Sequence, residues 1–132
     1  MTAFRDAVEA HDPAAFPALL APGVVFRSPV AFQPYEGRDL VAAILRGAFR
    51  AFEDFRYERE MRSEDGRDVS LVFRTRIGDR EIHGCDFLHL DEDGLIDEFV
   101  VMVRPMSAAQ AVSVAMAEQF EIVKQELAGG GA

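Results

Sequence analysis

The sequence predicts an α+β domain in which helices cover one face of a curved antiparallel sheet. Three observations lead there. Apolar residues recur at helical spacing near the N-terminus and again from Gly37 onward. Side chains alternate at period two through most of residues 55–104. No repeat and no linker divides the 132 residues, so one domain with one core is expected.

Taken in order, the first helix carries Phe4, Ala7, Val8 and His11 on one stripe. Asp12 reads as an N-cap and Pro13 as the first position of a second helix with Phe16, Leu19 and Leu20, which Pro17 keeps short or bends. Pro22-Gly23 breaks the chain, Val24-Val25-Phe26 reads as a short strand, and residues 28–37 as a loop. Leu40, Val41, Ile44, Leu45, Ala48, Phe49 and Phe52 then form the broad apolar face of a helix. Residues 55–61 return to period two, and strands follow over 68–77, 80–91 and 95–104. Pro105 ends the last strand. Ser107 caps a final helix with Val112, Met116, Phe120, Val123 and Leu127 in one stripe, able to pack over the mouth that the curved sheet forms, extend a dimer interface or receive another protein along Val112-Met116-Phe120. The domain is expected to span residues 1–127, with residues 128–132 a disordered tail.

Charge and composition narrow the function classes. The formal charge of -9 is scattered along the chain, so the basic surface that nucleic acid requires is absent. A single cysteine, Cys85, cannot form an intrachain disulfide and suits a reducing compartment. With no leader and no run of membrane-spanning length, the expectation is a cytoplasmic protein that does not engage the membrane. Glycine-rich phosphate loops, serine elbows and paired-histidine helix motifs are missing, and no cofactor is expected.

The sheet register singles out one residue. Gly78-Asp79 offers a two-residue hairpin turn, and pairing Ile77 with Arg80 sets Thr75 opposite Ile82, Phe73 opposite Gly84 and Leu71 opposite Asp86. The turn at residues 91–94 then brings Leu95, Asp97, Phe99, Val101 and Val103 onto the same face. Asp86 is thereby a lone carboxylate among apolar side chains, where desolvation raises its pKa. It is either part of a site or a structural acid satisfied by a backbone amide or a tyrosine. Tyr57 and Tyr35 can hydrogen-bond a ligand or Asp86, or simply pack with a wet hydroxyl. His11, at the end of the first helix, suits the helix dipole better than catalysis. Asp97 shares the face of Asp86 but lies near a strand end, where exposure is expected.

The opposite face carries His83, Cys85, Phe87 and His89 with Val72, Val100 and Met102. Alternate strand residues stand about 7 Å apart, too open for a compact metal shell, so no metal site is expected. Arg74 and Arg76, opposite His83 and Glu81, read as cross-strand polar contacts. The face is too apolar for plain solvent, and Cys85 reads as a small packed residue.

Residues 12–20, Val24-Val25-Phe26-Arg27-Ser28-Pro29-Val30 and Tyr35-Glu36-Gly37-Arg38-Asp39 together resemble the SnoaL-like branch of the nuclear transport factor 2-like superfamily. Asp93-Gly94-Leu95-Ile96-Asp97-Glu98, followed by residues 101–105, is similar to the end of the same domains. The resemblance implies a cystatin-like, cone-shaped α+β barrel around an apolar pocket, and a homodimer covering the outer sheet face. Aligned on Asp12, Pro29 and Gly94, the ketosteroid isomerase pattern puts its sheet aspartate on Asp86, its base on Ser28 and its helix tyrosine on Phe4. A serine cannot take a proton from carbon unaided, whereas a sheet acid of this kind serves as acid/base in related polyketide cyclases. The expectation is a small hydrophobic ligand, with Asp86 and Tyr57 catalytic and Ser28, Tyr35, Phe49, Phe52, Leu71, Phe73, Leu88, Phe99 and Val101 lining the pocket. The activity would be of a cofactor-independent cyclase, isomerase or dehydratase kind. The alternative is a non-catalytic ligand-binding or dimerisation module in which Asp86 is structural.

Overall fold

A computed structural model describes residues 2–130. Helix α1, Ala3–Glu9, is capped by the Thr2 hydroxyl, which accepts from the amide of Arg5 at 3.2 Å. A single 3-10 turn at Pro13–Ala15 and the short helix α2, Phe16–Leu19, follow. Pro17 divides this region as its missing N–H requires, but the Asp12 side chain makes no capping bond. Strands β1 (Leu20–Arg27) and β2 (Tyr35–Glu36) form an antiparallel pair across the loop of residues 28–34. Helix α3, Arg38–Ala51, buries Val41, Ala42, Ile44 and Leu45 on its inner face.

Strands β3 (Glu53–Arg62), β4 (Asp68–Ile77), β5 (Arg80–Leu90) and β6 (Ile96–Arg104) then run as an antiparallel meander. The six-stranded sheet has the order β2-β1-β6-β5-β4-β3, and β1 lies parallel to β6, so the sheet is mixed. The β4–β5 ladder keeps one register from Ile77–Arg80 to Asp68–His89, which seats Leu71 opposite Asp86. Helices and the inner sheet face enclose one core with Phe16, Phe73, Phe99, Leu20 and Ile82 at its centre.

Beyond the missing Asp12 cap and the parallel β1–β6 pair, the structure departs from the sequence-based expectations along the first two strands. Strand β1 runs from Leu20 straight through Pro22-Gly23, and β2 falls within the expected loop. The following details depart as well. Register shifts between His89 and Leu90, and the residue extra to the ladder is Asp97. It falls with Glu98 on the outer side and bonds Nδ1 of His89 at 2.6 Å through Oδ1, while Ile96 turns inward and is buried. Arg74 and Arg76 reach back to β3 instead, to Glu58 at 3.2 Å and Asp54 at 2.7 Å. Helix α4, Met106–Gly130, starts ahead of Ser107, because its first turn closes on the carbonyl of Pro105. At its other end α4 continues through Ala128, Gly129 and Gly130, expected as tail, since extending a formed helix adds hydrogen bonds without a nucleation cost. Gly131 and Ala132 lie outside the described residues. Among the described residues no helix is long and apolar enough to cross a membrane.

Candidate functional site

Asp86 lies near the middle of β5, with its side chain on the concave face of the sheet and only 5% exposed. Its Oδ2 accepts a hydrogen bond from the Tyr57 hydroxyl at 3.1 Å. Tyr57 reaches it from β3, two strands away, across β4. Local geometry opens that lane. Phe73, opposite both Tyr57 and Gly84, lays its ring over Gly84, where an added Cβ would stand 2.3 Å from the ring. A side chain at position 84 would push the ring back.

Burial drives the electrostatics here. Desolvation pushes the Asp86 carboxyl up to about 7, and the Tyr57 hydrogen bond opposes this only in part. Tyr57 is raised well above the ordinary phenol range, first by desolvation and then by the neighbouring carboxylate. Behind it, the Arg5 guanidinium sits 5.7 Å from the Tyr57 ring centroid and is itself paired with Glu9 and Glu60. Asp86 therefore exchanges its proton near neutrality, where it can donate a hydrogen bond when protonated or accept a proton when ionised.

Asp86 and Tyr57 open into a cavity of about 560 Å³. Ser28, Tyr35, Phe49, Phe52, Phe73, Phe99 and Val101 all line it, together with the two catalytic candidates. Leu71 and Leu88 do not. Phe4 lies between this cavity and a smaller one of about 180 Å³; Leu88 lines the smaller one, two residues beyond Asp86 on β5, and Leu71 is wholly buried in the core. The Ser28 hydroxyl accepts from the amide of Val30 at 3.1 Å, which shapes the loop after β1. Phe4 packs on Phe16 and edge-on to Phe99, filling the position where the resemblance expects a tyrosine. His11 sits past the end of α1 at φ 54 and meets Phe49 edge-on at the cavity wall.

Further residues line the cavity. Phe55 has the same strand parity as Tyr57, and alternation alone could have found it. Val112, Met116 and Phe120 come from the stripe of α4. Ser113 and Ala117 lie off that stripe and carry no sequence signal.

The family profile described as a SnoaL-like domain matches residues 1–99. No curated protein matches the chain. Among solved structures, one from Pseudomonas aeruginosa named as a steroid delta-isomerase is 43% identical, with a TM-score of 0.86 over 89% of this chain and 86% of that one. Another, from Silicibacter pomeroyi, is described as an uncharacterized protein conserved in bacteria with a cystatin-like fold. It is 34% identical, with a TM-score of 0.86 over 94% of this chain and 86% of that one. A likeness of fold alone extends to SalBIII, an epoxide hydrolase/cyclase-like enzyme in pyran ring formation in the polyether salinomycin. That chain is 18% identical, with a TM-score of 0.65 over 80% of this chain and 87% of that one.

Proposed function

This chain belongs to the SnoaL-like family, and we propose that it binds a small, neutral, largely hydrophobic molecule and performs cofactor-independent acid–base chemistry on it. The observation that carries this reading is a buried carboxyl, pushed up to about 7, at the floor of an apolar cavity. The lining is mostly apolar and, among the described residues, includes no Lys or Arg to meet an anion, which supports an uncharged ligand over an anionic one. Phe49, Phe52 and Phe99 stand along the walls and leave the path to Asp86 open.

In this mechanism Asp86, when protonated, donates a hydrogen bond to a carbonyl or ether oxygen of the ligand, with Tyr57 orienting it. When ionised, Asp86 accepts a proton from the carbon next to a ligand carbonyl. The protonated Asp86 then gives that proton back to the enolate at another carbon, or to a leaving group that the enolate expels from the neighbouring carbon. The reaction is then of the isomerase, cyclase or dehydratase kind. The 43% identity to a protein named a steroid delta-isomerase supports that class. The domain, with α4 included as its final wall, acts as a homodimer through the outer sheet face. There Phe87 and Met102 are 39% and 59% exposed.

A binding-only module is the second reading, favoured by one observation: Ser28, not a carboxylate, stands where a second proton-transfer group would be useful. Deuterium incorporation separates the two. A panel of hydrophobic cyclic ketones incubated in D2O should exchange protons beside the carbonyl with wild type and not with Asp86→Asn. Ketones that bind both proteins and exchange with neither would establish the binding-only reading.

A further inference from the structure

Of the residues lining the main cavity, four are themselves exposed: His11, Asp54, Ser113 and Ala117. They mark its rim, whereas Asp86 and Phe73 mark its sealed floor. Two of the four sit one helical turn apart on α4. Val112 and Met116, also lining the cavity from α4, are 2% and 8% exposed, so this helix passes from the sealed part of the wall to its edge. At the edge it presents the two smallest side chains it contributes. A larger residue at either position would extend over the opening.

The helix is also firmly held. Arg50 Nη1 pairs with Glu126 at 2.8 Å, Arg46 Nη2 with the same carboxylate at 3.2 Å, and Arg50 Nε donates to Gln119 Oε1 at 2.9 Å. Gly47 on α3 admits Gln119 closely, since an added Cβ would stand 3.3 Å from Gln119 Cβ. Phe120 lies 5.5 Å from the Tyr35 ring on the facing side. Helix α4 lies wholly beyond residue 99, where the family match ends.

We infer that α4 is the specificity wall of the cavity, and that Ser113 and Ala117 form the exit through which the far end of an elongated neutral ligand reaches solvent. This rests on the reading that the cavity binds a small apolar molecule with its polar group at Asp86. The two small residues set the length that is accepted.

The test uses 4′-alkylacetophenones with chains from methyl to octyl, titrated calorimetrically at pH 6. The ketone oxygen can accept from Asp86 and Tyr57 at the floor, and each methylene moves the tail toward α4. With wild type, Kd should fall roughly fourfold per buried methylene and level off once the tail leaves the cavity. Ala117→Phe should leave the short members within about twofold and weaken the longest by about tenfold or more, the equivalent of two methylenes denied burial. Ser113→Leu should do the same without an added aromatic ring. Equal weakening of every member, or of none, in folded variants overturns the inference while the binding reading stands. If no member binds wild type, the binding reading itself fails and the inference falls with it.

Discussion

At the residue scale, the protonation of Asp86 links function to stability. Below its ordinary value of 3.8 the carboxyl is neutral in both folded and unfolded chains. Between there and about 7 the unfolded chain has released the proton and the folded one still holds it, so stability falls as pH rises across that window and levels above it. The full difference corresponds to roughly 4 kcal/mol. Asp86→Asn should remove this component: its melting temperature should match or exceed that of wild type at pH 8 and lose the advantage toward pH 4. An Asn variant less stable at every pH would make Asp86 a structural acid instead. Tyr57→Phe removes the hydrogen bond that holds the Asp86 carboxyl down, so the Asp86 titration followed by carboxyl-carbon NMR should move higher. The identity and face of Asp86 were legible in the sequence, because a two-residue turn at Gly78-Asp79 leaves one register for the whole β4–β5 ladder. The Tyr57 contact was legible only as one of two options, since a diagonal reach across β4 depends on where the Phe73 ring lies.

At the element scale, β5 needs a glycine at one place on its concave face. An added Cβ at Gly84 would also stand 2.9 Å from the carbonyl oxygen of Met102, backbone that cannot turn aside. Gly84→Ala should cost about 3 kcal/mol in urea denaturation, near the upper part of what overpacking usually costs. It should also disturb the Tyr57–Asp86 bond by displacing Phe73. The bulge at Asp97 left no mark in the sequence, because an extra residue breaks alternation only after the strand partners are known. Its product is a His89–Asp97 pair with both side chains about two-fifths exposed, in which the hydrogen bond to Asp97 raises the histidine pKa. Breaking it with His89→Ala should cost under about 1 kcal/mol, and only at pH low enough to keep the imidazole charged. Helix α4 was legible as a helix with an apolar stripe. Its share of the cavity was legible only as one of three options for that stripe, because its placement over the inner sheet face is a tertiary fact.

At the scale of the whole molecule, a dimer through the outer sheet face is tested by Phe87→Glu combined with Met102→Glu. Sedimentation should show the double variant shift to monomer with its melting curve otherwise cooperative; an unchanged mass would place any interface elsewhere. The layered α+β plan was readable because period two and period 3.6 occupy separate stretches of chain. The parallel seam between β1 and β6 was not, since no local pattern names a partner at the far end of the sequence. That seam also dictates an order of events during biosynthesis. Strands β3 to β6 can zip from neighbouring hairpins as they leave the ribosome, but Leu20–Arg27 must wait for Ile96–Arg104 to emerge. Until then the nascent N-terminal segment keeps Phe4, Phe16 and Phe26, buried in the folded domain, without the full sheet that shelters them.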